Sequence, residues 1–144
     1  MYQGESTPIL NRAYGYSASG GGFRRTDQNV TSATRGDGGI YASVSDLALW
    51  DQALFGGTVA TAQVLTDIFT PGQLNNGSST GYGFGWEVGS YGGTKRLSHT
   101  GSTIGFRSAI QRFPDKRFAV AVLINRDGAA PWDLATEIAD RFMD

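Results

Sequence analysis

The residues best suited to chemistry stand together in the run Ser98-His99-Thr100-Gly101-Ser102. His99 is the only histidine of the chain, and imidazole is the most frequent acid–base group in enzymes. Small hydroxyl residues and glycine would let a substrate backbone lie against this segment, where backbone N–H groups can bind a carbonyl oxygen. The alternative interpretation is an ordinary glycine-containing turn between two strands, and the residues themselves do not decide between the two.

Other kinds of chemistry find little support in the sequence. The absence of cysteine excludes disulfides, zinc–thiolate sites and a cysteine nucleophile. Asp37 and Asp115 fall in predicted turns without a second ligand, so we expect no metal site. The glycines of Tyr82-Gly83-Phe84-Gly85 lack the spacing of a phosphate loop or a dinucleotide site, so we expect no cofactor and interpret this run as strand packing.

Charge and hydropathy argue against two classes of partner. The chain has 144 residues with 12 Lys+Arg against 13 Asp+Glu, and this balance predicts neither nucleic-acid nor membrane binding. No apolar run approaches the length of a membrane span, and the longest lies at 118–124. The first five residues carry neither a basic stretch nor an apolar core, so we expect no signal peptide there.

Helices are predicted from capping residues and from apolar spacing. Ser43 can cap the first helix, and Asp46 in its first turn suits the helix dipole. Pro131 is a favourable first residue for the last helix, which has one apolar face. The predicted helices cover 44–55, 61–69 and 131–142.

Strands are predicted from apolar runs between turn residues. The clearest pair is a hairpin around Pro114-Asp115-Lys116-Arg117. Its second strand, at 118–125, is apolar at nearly every position, which predicts that both of its faces are covered. Residues 17–39 are polar and glycine-rich, and we interpret them as a long loop. The predicted strands cover 9–16, 82–89, 94–99, 106–113 and 118–125, and 98–102 ends a strand in small hydroxyl residues and glycine.

The order of these motifs resembles the serine β-lactamase and DD-peptidase superfamily, especially its class C and esterase-like branch. The resemblance extends over about 9–144, and 17–37 is unmatched in detail. His-Thr-Gly alone would be a weak motif, but it is fairly specific inside this ordered series. The matching pieces are Ala13-Tyr14-Gly15-Tyr16, Gly38-Gly39-Ile40-Tyr41-Ala42-Ser43, Asp46-Leu47-Ala48, Tyr82-Gly83-Phe84-Gly85-Trp86, His99-Thr100-Gly101, Gly105-Phe106, Pro114-Asp115 and the closing helix.

The resemblance implies roles for particular residues. His-Thr-Gly is one form of the family's third active-site motif, so His99, Thr100 and Gly101 would line the substrate site. His99 and Thr100 would face the carboxylate or leaving group of the substrate. The backbone N–H of Ser102 would form one arm of the oxyanion hole. Arg107 would bind substrate at the edge of the cleft, or alternatively be a solvated strand residue.

The family's nucleophile and general base are missing from this sequence. They belong to the motifs Ser-x-x-Lys and Tyr-x-Asn, and neither occurs in the chain. We also expect no nucleophile elbow of the Gly-x-Ser-x-Gly type. The nearest match, Ser32-Ala33-Thr34-Arg35, ends in arginine, which stays protonated and cannot act as a base. Acyl transfer requires nucleophile, base and oxyanion donors together. We therefore expect the chain to be inactive on its own.

The implied fold class is α+β of the β-lactamase/transpeptidase-like type. It would combine a partial antiparallel sheet, a covering C-terminal helix and helical segments of the neighbouring α-region. We expect residues 1–144 to be the C-terminal portion of such a domain, with a strand and loop over 1–43, helices over 44–70, and strands plus a helix over 80–144. The parent would be a serine hydrolase acting on lactams, D-Ala peptides or esters. The alternative is a non-catalytic module that binds peptide or carbohydrate.

The resemblance also implies a partner for the strand at 118–125. In the family fold an N-terminal strand pairs beside it, so in this chain its apolar edge would be free. An exposed apolar edge is a template for pairing. We therefore expect it to bind the N-terminal half of the parent or a second copy, besides a small-molecule or peptide substrate at the site. The compartment is not fixed, since a periplasmic, a secreted and a cytoplasmic parent are all compatible with the sequence.

Overall fold

The computed structural model describes residues 9–27, 36 and 38–143. Its centre is a four-stranded antiparallel sheet in the order β3-β4-β5-β6. Helix α3 covers one face, and α1 and α2 pack on the other. This arrangement confirms the predicted α+β class. The strands are β1 (Tyr16–Ser19), β2 (Gly22–Arg25), β3 (Glu87–Tyr91), β4 (Thr94–Thr103), β5 (Phe106–Phe113) and β6 (Phe118–Ile124), and the helices are α1 (Val44–Gly56), α2 (Ala62–Ile68) and α3 (Pro131–Met143).

Short turns join the four strands, so each strand pairs with its neighbour in sequence. Gly92 and Gly93 connect β3 to β4 with φ of +55° and +74°, which is the backbone of the favoured two-residue hairpin turn. Ile104 and Gly105 connect β4 to β5, and Thr103 faces Phe106 across this turn. A 3-10 turn over Pro114–Lys116 leads into β6, as the predicted hairpin requires.

The face under α3 holds the main apolar core. Ala135 and Ala139 are fully buried, and their small side chains let the helix lie close to the sheet. Buried Gln111 of β5 donates a 2.9 Å hydrogen bond to Thr136. The cluster contains Ala109, Phe113, Val120, Val122, Ala135 and Ala139.

The edge strand β3 is also tied to α3 by a side-chain hydrogen bond. The hydroxyl of Tyr91 donates a 2.6 Å bond to the Asp140 carboxylate. This bond raises the pKa of Tyr91, because an ionised phenolate would lose the bond and face a carboxylate. The contact therefore links β3, where the sheet ends, to the covering helix.

The opposite face is held by an aromatic cluster and a buried ion pair. Trp50 of α1 stacks on buried Trp86, with ring centroids 5.7 Å apart. The guanidinium of Arg112 is almost completely buried and pairs with the carboxylate of Asp51 on α1. Phe55 lies 4.6 Å from the guanidinium carbon, so a cation sits among rings between helix and sheet. This pair and its rings fix α1 against β5.

The predicted start of α1 is confirmed in detail. The Ser43 hydroxyl accepts the N–H of Asp46 at 3.1 Å, and the carboxylate of Asp46 accepts the N–H of Ser43 at 2.8 Å. These two bonds form a capping box. The pKa of Asp46 is lowered, chiefly by the hydrogen bond from the Ser43 backbone and then by its hydroxyl.

The predicted strand at 9–16 and loop at 17–39 were largely wrong. Residues 9–15 are not a strand, and β1 begins only at Tyr16. It forms a hairpin with β2 inside the predicted loop. Gly20 and Gly21 have φ of +55° and +84°, so this glycine pair is a tight hairpin turn and not a sign of loop structure. The rest of the predicted loop, 28–35 and 37, lies outside the described residues.

The predicted strand at 82–89 was wrong in its first half, because β3 starts at Glu87. The glycines before it serve close packing and a turn. A Cβ added to Gly83 would lie 2.2 Å from the carbonyl oxygen of Ile68, at the end of α2. Gly85 adopts φ of +77°, which side chains disfavour. The segment before β3 therefore wraps over α2.

The outer edge of β6 has no strand partner along Phe118–Ile124 within the described residues. Just beyond it, the N–H of Tyr16 donates to Asn125 at 3.1 Å, and the N–H of Asp127 donates to Tyr16 at 2.9 Å. The prediction that both faces of this strand are covered holds only in part, because Leu123 is 41% exposed. No helix in the described part of the chain is long and apolar enough to cross a membrane.

Candidate functional site

The candidate site is an open edge at residues 99–103 of β4. Strand β3 pairs with β4 only as far as Glu87 opposite Ser98. Strand β5 accompanies β4 to its end, with Thr103 opposite Phe106. Residues 99–103 thus have a strand neighbour on one side only among the described ranges. The strand predicted at 94–99 extends further, to Thr103, so all of His-Thr-Gly lies inside the strand and the alternative of a turn is wrong.

Strand alternation decides which backbone groups face this open edge. The two-residue turn after Thr103 makes Thr103 and Phe106 a hydrogen-bonded pair. Every second residue back along β4 bonds to β5 in the same way, which includes Gly101. The N–H and C=O groups of Thr100 and Ser102 therefore point to the open edge. Both residues are exposed, and the predicted oxyanion donor, the N–H of Ser102, is among these groups.

Side chains alternate between the two faces of β4. His99 lies opposite Ile110 and shares the face of α1 and α2, while Thr100 lies opposite Ala109 on the face of α3. The side chains of His99 and Thr100 thus project from opposite faces of the sheet. A Cβ on Gly101 would lie 2.3 Å from the Ser108 hydroxyl, so a side chain there would force this hydroxyl to rotate away.

A tyrosine that the sequence analysis did not place in the site bonds to His99. The hydroxyl of Tyr82 is 2.8 Å from Nε2 of His99. The signal was the tyrosine of Tyr82-Gly83-Phe84-Gly85-Trp86, which stood out as a motif but was interpreted as strand packing. The contact brings together two residues 17 positions apart.

Arg107 fastens the turn that ends the site. Its Nη1 donates to the carbonyl oxygens of Phe106 at 2.7 Å, Thr103 at 3.2 Å and Ile104 at 3.3 Å. This guanidinium edge therefore holds the backbone at the end of β4. Substrate binding by Arg107 stays a prediction.

A groove of about 1060 Å³ runs from the open edge across the end of the sheet. Its walls are Thr100–Ser108 on one side and the segments around Arg12 and Tyr41 on the other. Several apolar residues that line the groove are exposed, and large exposed apolar patches are uncommon on soluble proteins. These residues are Ile9, Leu10, Ile40, Ile104 and Leu123.

The expectation that the Gly-x-Ser-x-Gly pattern of a nucleophile elbow is absent was wrong, because the pattern occurs at Gly77-Ser78-Ser79-Thr80-Gly81. An elbow places its serine between a strand and a helix. Ser79 instead forms an isolated bridge with Gln73 in an irregular segment. Its hydroxyl accepts the N–H of Gly81 at 3.1 Å, so this serine closes a turn. Within the described ranges, no group of three His, Asp or Glu residues is placed to hold a metal ion.

Comparisons with known proteins identify the family of the chain. The family model described as Beta-lactamase matches residues 4–141. The chain is 31% identical to Penicillin-binding protein 4* of Bacillus subtilis (strain 168) over 102 residues, which are 70% of this chain and 23% of that protein. It is 27% identical to a D-aminopeptidase of Brucella anthropi over 108 residues, which are 75% of this chain and 20% of that protein.

A solved structure shows the same fold. The octameric penicillin-binding protein homologue from Pyrococcus abyssi matches with a TM-score of 0.73 and 26% identity, over 92% of this chain and 31% of that chain. The chain thus spans between 20% and 31% of the length of these proteins. Because the family model covers nearly the whole sequence, the resemblance seen in the motifs is confirmed. The chain belongs to the Beta-lactamase family, within the superfamily of serine β-lactamases and penicillin-binding proteins.

Proposed function

We propose that this chain supplies the substrate-binding strand and one oxyanion donor of a serine hydrolase that forms an acyl-enzyme with a lactam, a D-Ala peptide or an ester. The main observation behind the proposal is the open edge, where β4 continues beyond the end of β3 after Ser98. An open strand edge binds an extended substrate through its backbone. The family to which the chain belongs uses this chemistry.

The proposed mechanism follows from the backbone groups at the edge. A substrate lying antiparallel to β4 would exchange hydrogen bonds with Thr100. Its scissile carbonyl oxygen would accept a hydrogen bond from the N–H of Ser102. This bond would stabilise the negative charge that develops on the oxygen. His99 and Thr100 would contact the leaving group or a carboxylate.

The nucleophile and base of this proposal come from outside the sequence. No Ser-x-x-Lys or Tyr-x-Asn motif is present, and the chain spans 31% of the length of its structural relative. We therefore propose that residues 1–144 form the C-terminal portion of a larger domain. The exposed apolar residues of the groove beside the open edge support this, because a further segment would bury them.

The test is turnover with and without the rest of the domain. We expect no hydrolysis of nitrocefin or p-nitrophenyl esters by the purified chain, because an oxyanion donor without a nucleophile cannot form an acyl-enzyme. The longer gene product, with its own Ser-x-x-Lys, should be active, and replacing that serine by alanine should abolish activity. Robust turnover by the chain alone that is lost in Ser79→Ala would contradict the proposal and place the nucleophile in this sequence.

A second candidate is a non-catalytic module that binds peptide or carbohydrate. The observation that favours it is the combination of an intact open edge with the absence of both nucleophile and base from the sequence. The coding sequence upstream of Met1 discriminates between the two. An in-frame Ser-x-x-Lys followed by Tyr-x-Asn favours the hydrolase, whereas a natural start at Met1 favours the binding module.

We also propose that the free edge of β6 pairs with another strand, either from the N-terminal part of the parent or from a second copy. The octameric state of the Pyrococcus abyssi homologue supports self-association. Sedimentation over a range of concentrations should show a dimer or larger species that Leu123→Lys weakens, since charges block edge pairing. Ser90→Lys on the opposite edge strand, β3, is the matched control. A monomer at every concentration would rule out self-association.

A further inference from the structure

The side chains of His99 and Tyr82 are in contact at the point where β4 continues beyond the end of β3. The hydroxyl of Tyr82 is 2.8 Å from Nε2 of His99. The two rings also meet edge-on, with centroids 6.0 Å apart and planes at 63°. One side chain thus makes both the hydrogen bond and the ring contact of the imidazole, so Tyr82 sets the orientation of His99.

Tyr82 is exposed, but its backbone is held firmly. Its N–H donates to the Thr80 hydroxyl at 3.2 Å. Its carbonyl accepts from that hydroxyl and from the N–H of Gly72, both at 3.0 Å. An isolated bridge to Glu87 links it to the start of β3. The phenol ring therefore projects from a fixed base towards His99.

The hydrogen bond determines which nitrogen of His99 carries the proton. A neutral imidazole has one N–H donor and one acceptor nitrogen, and the bond at one nitrogen selects the tautomer. A phenol donates more strongly than it accepts, whereas the unprotonated imidazole nitrogen is a strong acceptor. The stronger arrangement has Tyr82 donating to Nε2, which leaves the proton on Nδ1.

No ion pair of the described residues includes His99, since these pairs join Arg12 and Arg25 to Asp27, and Arg112 to Asp51. The hydrogen bond described for the His99 ring is the one with Tyr82. With Nε2 taken by Tyr82, Nδ1–H is the ring group left for a ligand.

We propose that Tyr82 is a positioning residue that places the proton of the neutral His99 imidazole on Nδ1, so that this form of the ring offers an uncharged N–H donor to the substrate. Such a donor suits a carbonyl or leaving-group oxygen of an ester or amide, whereas a free carboxylate would be bound better by a cation. The use of this donor rests on the proposed hydrolase function, but the tautomer does not.

The test is the tautomer of His99 by nuclear magnetic resonance. His99 is the only histidine, so a long-range ¹H–¹⁵N spectrum of the labelled chain contains a single imidazole. At pH 9, where an ordinary imidazole is neutral, we expect mainly the Nδ1–H form. Tyr82→Phe removes the hydroxyl and should shift the tautomer ratio about tenfold towards Nε2–H, the form that free histidine prefers.

Tyr91→Phe is the matched control, because it removes a hydroxyl that bonds to Asp140 and not to His99. It should leave the tautomer unchanged. The wild-type spectrum decides the matter even if Tyr82→Phe fails to fold, since a mainly Nε2–H ring would overturn the proposal. An unchanged ratio in folded Tyr82→Phe would overturn it as well. If His99 carries its proton on Nδ1 but the full-length protein shows no turnover, only the hydrolase function is rejected and the tautomer proposal stands.

Discussion

Ser102→Pro is expected to lower kcat about 10²–10³-fold in the proposed full-length hydrolase, the usual cost of removing one oxyanion donor. Proline has no N–H, and the N–H of Ser102 faces the open edge of β4. The substitution removes no hydrogen bond to β5, and edge positions of this kind accept proline. The fold should therefore survive while transition-state stabilisation is lost. The measurement is kcat with nitrocefin or an ester substrate.

Ser102→Ala is the control for this experiment, because it removes the hydroxyl and keeps the N–H. Its kcat should stay close to that of the wild type. Unfolding in urea should show that both variants are folded. A folded Ser102→Pro variant with wild-type kcat would show that the oxyanion donor lies elsewhere.

Asp51→Asn is expected to destabilise the chain by about 3–5 kcal/mol, because it leaves the Arg112 guanidinium buried without its counter-charge. Only 2% of the Arg112 side chain and 14% of the Asp51 side chain are exposed, so the guanidinium itself is almost out of reach of water. Helix α1 should detach from the sheet first. Urea unfolding followed by tryptophan fluorescence reports this directly, since Trp50 stacks on Trp86 in the same interface.

Two comparisons make this prediction specific. Asp67→Asn changes an exposed carboxylate of α2 that bonds to Gln63, and it should change stability by less than about 0.5 kcal/mol. The double variant Asp51→Leu/Arg112→Met replaces the pair by apolar side chains and should be more stable than Asp51→Asn, because no charge stays buried. An Asp51→Asn chain as stable as Asp67→Asn would show that the ion pair does not hold α1.

Local signals made much of the fold predictable. The capping box at Ser43 placed the start of α1, which runs over Val44–Gly56. Pro131 placed the start of α3, which runs over Pro131–Met143. The apolar strands around Pro114 gave β5 and β6 to within one residue. These features depend on neighbours in sequence, so the sequence alone reveals them.

The site was predictable in identity but not in geometry. His99, Thr100 and Gly101 stood out as residues, but the open edge exists only because β3 ends opposite Ser98, and no local pattern marks that end. The contact between Tyr82 and His99 arises from the wrapping of the segment before β3 over α2. The hairpin of β1 and β2 was missed because a glycine pair suits a loop as well as a tight turn.

The strands of the four-stranded sheet contact neighbours in sequence, whereas β1 contacts residues far from it in sequence. Each strand of β3-β4-β5-β6 pairs with its immediate neighbour, and such local contacts close small loops at little entropic cost. Tyr16, in contrast, bonds to Asn125 and Asp127, at the far end of the chain. Gly15 and Gly105 also cross so closely that a Cβ on Gly105 would lie 2.6 Å from the Gly15 backbone. The sheet β3-β4-β5-β6 can therefore form early in folding. Strand β1 can bond to Asn125 and Asp127 only after the chain has been synthesised as far as these two residues.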